Sequence, residues 1–240
     1  MKTIFICTIP RTGSSLLSAD MRTTVALGEP REYFNPNRMG RLIERWQLEA
    51  GDLDAYVTEM KKRTASPNGI IAVKIMVSQL IRLEREGLLR PEGKGRLRAL
   101  AAKFGTEDDT LVIQLLRRDK LRQAISLMKA RQTGQWGVLR KALRKPTYDR
   151  EEVAGIIVEL VVWETQWQRE FAASGLQPAI DLVYEDLPSR RDETLLAIAR
   201  NLDLPDPEGI VANRARDEVQ LERQADETTE AWINDFAMIT

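Results

Sequence analysis

The chain contains no histidine and a single cysteine, Cys7. Without histidine, a Ser-His-Asp triad, an imidazole general base and a histidine metal ligand are all excluded. One cysteine cannot close a disulfide within the chain or build a thiolate zinc site, so no metal is expected. Proton chemistry falls instead to a carboxylate, a lysine, a tyrosine or a bound water. Long apolar runs are also missing: nothing approaches the ~18 residues of a membrane span. Met1 to Ile9 is apolar but runs into Pro10-Arg11 and not into a small-residue cleavage site. It therefore reads as a buried strand, not as a secretion signal, and a cytoplasmic location is expected.

There is no excess of either charge, with 36 Lys+Arg against 36 Asp+Glu. The distribution is uneven, however. Ten Lys/Arg and one acid lie between Arg117 and Lys145, whereas Asn201 to Thr240 carries three Arg and ten acids. Such a basic run is either a solvated helix face or a polyanion site. Neutrality overall argues against a nucleic-acid surface, which needs a basic domain, and favours a small phosphorylated ligand. The 240 residues, 43% of them hydrophobic, suit one domain spanning 1–240.

Hydrophobic patterning places the elements. Thr3 to Ile9 reads as a buried parallel strand, and Ile70 to Met76, Thr110 to Leu116 and Ala179 to Tyr184 as three further strands. Helices are expected over Ser14 to Leu27, with Ser14 or Ser15 near the N-cap, and over Arg38 to Ala50 and Leu53 to Ala65. Further helices run to Phe104, broken at Pro91 to Gly95, and from Asp119 to about Ala130. The longest, Glu151 to Ala173, keeps Val153, Ile157, Leu160, Val161, Trp167 and Phe171 at helical spacing and should pack on the sheet. Acidic helices finish the chain. Strands alternating with helices predict an α/β fold with a mostly parallel central sheet.

The segment after the first strand, Pro10-Arg11-Thr12-Gly13-Ser14-Ser15, has the makings of a phosphate loop. Its glycine lets backbone approach a ligand, and the following helix start offers free N–H groups and a positive dipole end. Thr12, Ser14 and Ser15 add hydroxyls, and Arg11 adds a fork suited to phosphate or sulfate. A plain strand–helix turn would also read this way. No G-x-x-x-x-G-K-[ST] pattern is present, which weakens an Mg²⁺-dependent NTPase. A second basic element, Arg117-Arg118-Asp119 with Ser126 beyond it, also sits at a strand's carboxyl end, where open α/β sheets bind ligands. Two such sites would hold a ligand phosphorylated at two places, and a nucleoside 3′,5′-bisphosphate has that shape.

These elements resemble sulfotransferases that use 3′-phosphoadenosine 5′-phosphosulfate (PAPS), in particular the bacterial family containing trehalose 2-sulfotransferase. The matching pieces are PRTGSSLL at 10–17, GEPREYF at 28–34, VKIM at 73–76, RRDKLRQAIS at 117–126, ARQTGQW at 130–136 and LERQADETTEAW at 221–232. They keep the family's order over nearly the whole chain. The resemblance implies a P-loop-like sulfotransferase fold, PAPS as donor, and a homodimer. It makes Arg11 to Ser15 the 5′-phosphosulfate loop, with Ser126 and either Arg117 or Arg118 on the 3′-phosphate. Arg223 would belong to a segment that closes over the cofactor.

Many sulfotransferases use a histidine base, which this chain lacks. In the family, a glutamate of G-x-P-x-E-[FY]-F is thought to serve, and here it is Glu32. Glu32 read alone is equally an exposed loop acid or a partner for Arg31 or Arg38. The expected reaction is an in-line displacement in which Glu32 takes a sugar hydroxyl proton and Arg11 and the loop amides stabilise developing charge. Lys74 would do the same, or else is a lysine snorkelling from the sheet. Gln132 and Trp136 are candidate acceptor contacts, Trp136 being alternatively core. Val77 stands where the trehalose enzyme's pattern has tryptophan, and the segment 34–70 is shorter; both bear on the acceptor pocket. The acceptor class expected is a carbohydrate or glycolipid. Rival readings are a nucleotide-kinase-like phosphoryl transferase and a silent phosphonucleotide-binding module.

Overall fold

The computed structural model describes residues 1–106, 109–136, 143–215 and 227–238. Four strands form one sheet: β1 (Lys2–Thr8), β2 (Ile70–Met76), β3 (Thr110–Leu116) and β4 (Ile180–Val183). Their order is β2-β1-β3-β4, and every pair is parallel. The β-branched runs of β1, β2 and β3 have both faces covered, as in parallel sheets, whereas the edge strand β4 is only partly buried and exposes Asp181. Along β1, Phe5 and Cys7 enter one core layer and Ile4 and Ile6 the other. The first layer takes α3 (Leu53–Thr64), α4 (Val77–Arg85), α5 (Arg96–Phe104), α6 (Lys120–Thr133) and α7 (Arg150–Ser174). The second takes α1 (Ser14–Thr23), α8 (Arg191–Asn201) and α9 (Pro207–Ala212). This is the α/β architecture that the alternating pattern predicts.

Two further helices bear on the site. α2 (Pro36–Trp46) starts at Asn35, whose side chain accepts the Arg38 N–H at 3.3 Å. α10 (Glu227–Ala237) lies on α6, where Glu230 pairs with Arg122 and Lys129 sits over the Trp232 ring. Among the described residues no helix is long and apolar enough to cross a membrane.

The N-cap of α1 is Gly13 in the left-handed region (φ 76°), with Ser14 and Ser15 directly after it as the sequence implied, and no side chain caps the helix. The chain must turn sharply from β1 into α1, and that geometry selects glycine over a capping hydroxyl. α1 also stops at Thr23, where the Thr24 hydroxyl accepts the Leu27 N–H in a tight turn. On α7, Ile156 is buried while Val161 is 49% exposed, so the sheet-facing stripe is narrower than the spacing implied.

The topology itself points to a site. The chain passes from β1 leftward to β2 and then back across to β3, so the direction of winding reverses between β1 and β3. In open α/β sheets the crevice at such a reversal, outside the carboxyl ends of the strands, is where ligands bind. Arg11 follows β1 and Arg117 follows β3.

Candidate active site

The loop after β1 is tied down from within. Thr12 is fully buried, its hydroxyl donating to the Ile9 carbonyl at 3.1 Å and sharing a 2.6 Å hydrogen bond with the Thr8 hydroxyl. Gln123 of α6 donates to the Pro10 carbonyl at 2.7 Å, and the Trp167 indole of α7 donates to Thr8 O at 2.8 Å. Thr12 therefore shapes the loop from inside instead of presenting a hydroxyl outward. Ser14 is buried at the helix start and Ser15 is exposed beside it. Arg11 adopts φ 66°, a left-handed conformation that costs a non-glycine residue about 1–3 kcal/mol. The surrounding hydrogen bonds hold it there.

That conformation carries Arg11 to the second basic element. Its Nε donates to Ser126 Oγ at 2.8 Å, and its Nη1 to the Trp136 carbonyl at 3.2 Å. Arg117 Nη1 in turn donates to the Arg11 carbonyl at 3.2 Å. Elements more than a hundred residues apart thus meet at one crevice. Burial, then the charge of Arg117, pushes the Arg11 pKa below the ordinary arginine value; burial does the same to Arg117. The Arg117 Nε is buried without a hydrogen-bond partner, since its nearest carboxylate oxygen, on Glu185, stands 3.9 Å away. Two cations are thus crowded and poorly solvated at one crevice.

The neighbouring arginine behaves differently. Arg118 is exposed and pairs with Asp186 at 2.5 Å. Its backbone N–H and that of Asp119 are both accepted by Glu185, at 3.1 and 3.0 Å. Partial burial works against the charged form of Glu185, but these N–H groups outweigh it and hold its pKa below the usual carboxylate value. Glu185 so clamps the turn from which Arg117 reaches inward.

Sequence reasoning missed Tyr184, the residue after β4. The Arg117 guanidinium lies 4.6 Å from its ring centroid, and a Cβ on Gly13 would fall 2.3 Å from its Cδ2. Gly13 is thus required both by φ and by the ring laid against it. The signal was its place at the end of a β-branched run, at the same sheet end as the two basic elements.

Glu32 lies on the other side of β1. Residue 31 bridges Val73 in parallel, and the Lys74 N–H donates to the Arg31 carbonyl at 3.0 Å, so this loop extends the sheet beyond β2. With strands about 4.8 Å apart, Glu32 sits roughly 10 Å across from β1. Its Oε1 is 3.0 Å from Lys74 Nζ, and its Oε2 accepts from Gln79 Nε2 at 3.2 Å. Glu32 is therefore neither an unpaired loop acid nor a partner of Arg31, which pairs with Glu29. Lys74 is buried and paired instead of snorkelling to solvent.

The remaining expectations divide. Gln132 uses both ends of its amide internally, donating to Glu152 and accepting the Thr147 N–H, each at 2.8 Å. Trp136 is 49% exposed, so it is not core. Arg223 lies outside the described residues.

The Stf0 sulphotransferase family matches residues 3–238. A trehalose 2-sulfotransferase of Mycolicibacterium smegmatis is 28% identical over 253 residues, covering 94% of this chain and 91% of that protein. The trehalose 2-sulfotransferase of Mycobacterium tuberculosis is 26% identical over 250 residues with the same coverage. Among solved structures, retinol dehydratase in complex with androsterone and inactive cofactor PAP aligns over 98% of this chain and 81% of that one, at 14% identity and a TM-score of 0.33. The family match spans both basic elements and the Glu32 loop, and on it the chain belongs to the Stf0 sulphotransferase family.

Proposed function

We propose that this sulfotransferase moves a sulfuryl group from PAPS to a hydroxyl of a carbohydrate or glycolipid, with Glu32 as general base. The observation that carries the donor is the meeting of Arg11 with Ser126 and Arg117 at the β1/β3 crevice. The residues suit a bisphosphate: an anion there would offer an acceptor to the orphaned Arg117 Nε and relieve the crowding of two buried cations. Arg117, not the solvent-facing Arg118, is the 3′-phosphate arginine, with Ser126 beside it. Arg11 spans from the loop toward that position, while the Gly13, Ser14 and Ser15 N–H groups at the start of α1 hold the 5′ end. The carbohydrate acceptor rests on the acceptor named for the two mycobacterial relatives.

When bound, PAPS supplies the sulfuryl group and a stable bisphosphate leaving group. The chain's own residues do the rest. Glu32 takes the acceptor hydroxyl proton on a carboxylate oxygen, and Gln79 and Lys74 fix the direction in which that carboxylate points. Lys74, Arg11 and the loop amides present positive charge along the line of displacement, where negative charge grows.

The test is transfer of labelled sulfuryl from PAPS to a panel of monosaccharides, disaccharides and glycolipids. Glu32→Gln should lower the rate by about 10²–10⁴-fold. It should keep the rise in Tm given by adenosine 3′,5′-bisphosphate. An unchanged rate would move the base elsewhere, and a Tm shift without turnover on any acceptor would leave only a binding module.

A further inference from the structure

A cleft of about 420 Å³ opens between α4 and α7, and Gln79 forms part of its wall. The same Gln79 donates to Glu32, so the cleft begins one side chain away from the proposed base. Its lining is unlike that of a structural groove. Trp163 offers an indole face, and Ser78 and Gln166 offer a hydroxyl and an amide. Arg82 and Arg85 add two cations, and no carboxylate is among the residues that line it. An aromatic face ringed by planar polar groups suits a sugar ring, whose CH face stacks while its hydroxyls bond at the edges.

The charges narrow the ligand further. Arg82 is partly neutralised by Glu86 and donates to the Phe34 carbonyl at 3.1 Å, yet its Nε is buried without a partner. Arg85 has no ion pair or hydrogen bond with any described residue. A second cleft, of 290 Å³, makes the contrast. Its Arg190, Arg191 and Arg214 are matched by Glu193, Asp20 and Asp192, so their charge is compensated. In the α4/α7 cleft Arg82 has one such partner, Glu86, and Arg85 has none among the described residues.

From this the geometry points to the α4/α7 cleft as the acceptor site, for a sugar ring that carries a carboxylate or phosphate besides the hydroxyl to be sulfated. The inference rests on the sulfotransferase reading above. Trp163 stacks on the ring, Arg85 takes the anionic group as a forked donor, and Gln166 and Ser78 bond hydroxyls. The reacting hydroxyl lies at the Gln79 end, facing Glu32. Arg85 is solvent-exposed, so an anionic group on the ring gains a forked partner there that a neutral sugar does not, and this separates the expected acceptor from the neutral trehalose of the mycobacterial relatives.

The experiment compares methyl glucuronide and glucose 6-phosphate with methyl glucoside as acceptors for labelled PAPS. The full-length chain and its Arg85→Ala, Arg85→Lys and Trp163→Ala variants are used, and the Tm shift with adenosine 3′,5′-bisphosphate is recorded for each. At least one charged probe should be sulfated with kcat/KM about tenfold or more above the glucoside, the scale of one charged hydrogen bond. Arg85→Ala should raise KM for that probe about tenfold, and Arg85→Lys should restore part of it by keeping the charge without the fork. Each variant should keep the bisphosphate Tm shift, showing that it folds and binds donor product. Equal use of charged and neutral sugars, or an Arg85→Ala KM that does not move, overturns the cleft assignment while leaving sulfotransfer intact. Loss of the bisphosphate shift in the unsubstituted protein would instead overturn the reading on which it rests.

Discussion

The two halves of the site are built on opposite electrostatic plans. At the β1/β3 crevice, Arg11 and Arg117 crowd together with Ser126, and one arginine nitrogen is buried without an acceptor. Around Glu32 the charges are matched: one carboxylate, the Lys74 ammonium and the Gln79 amide. On the proposed reading the first half takes an anion from outside the chain, while the second, complete by itself, holds Glu32 in a fixed direction. A transferase would benefit from that division, since binding energy would be drawn from the anion while the base stayed oriented before the acceptor arrives.

The contrast can be broken at several points. The largest effect is expected from Arg11→Ala, which removes the residue joining both elements. Transfer should fall by about 10²–10³-fold, as on losing a preorganised donor. The bisphosphate Tm shift should vanish, and a full shift in this variant would remove Arg11 from the donor site. Next comes the pair Arg117→Ala and Arg118→Ala, compared by equilibrium titration. The first should weaken bisphosphate binding by about tenfold or more. The second, at an exposed ion pair with Asp186, should change it little. The reverse ranking would transfer the 3′-phosphate to Arg118.

A smaller, structural effect is expected at Gly13. Gly13→Ala meets Tyr184 and a left-handed φ of 76°. The strained backbone alone costs about 1–2 kcal/mol. Tm should drop by several degrees without any ligand; an unchanged Tm would mean that Tyr184 does not press on the loop. The smallest effect concerns Glu185, whose pKa is held below its ordinary value of 4.5. A depressed carboxylate stabilises the fold above its unfolded pKa, and that contribution fades as pH falls through the lower folded value. The Tm difference between the natural protein and Glu185→Gln should therefore be greatest near neutral pH and shrink below about pH 4. A difference that grows on acidification would contradict the clamp.

The same contrast explains what could be read from the sequence. β1, β2 and β3 were visible as β-branched runs, because strands covered on both faces need apolar residues throughout; the edge strand β4 is shorter and interrupted by Asp181. The proposed donor side was legible because each basic element is local, a short motif directly after a strand. Its detail was not. Whether Arg117 or Arg118 turns inward depends on Glu185 and Tyr184, which arrive from β4, and whether Thr12 faces a ligand depends on Thr8 beneath it. On the proposed acceptor side Glu32 stood out through its motif, but Gln79, Arg85 and Trp163 line one cleft only when α4 packs on α7. The contacts of Gln132 were not legible either. In the fold it brackets residues 147 and 152.

Calorimetric titration of the natural protein with adenosine 3′,5′-bisphosphate and, separately, with adenosine 5′-phosphate tests the joint use of both strand ends most directly. The bisphosphate should bind at least about tenfold tighter, the worth of one charged hydrogen bond, and Arg117→Ala should bring the two ligands to parity. Equal affinities in the natural protein would mean that the second basic element holds no phosphate.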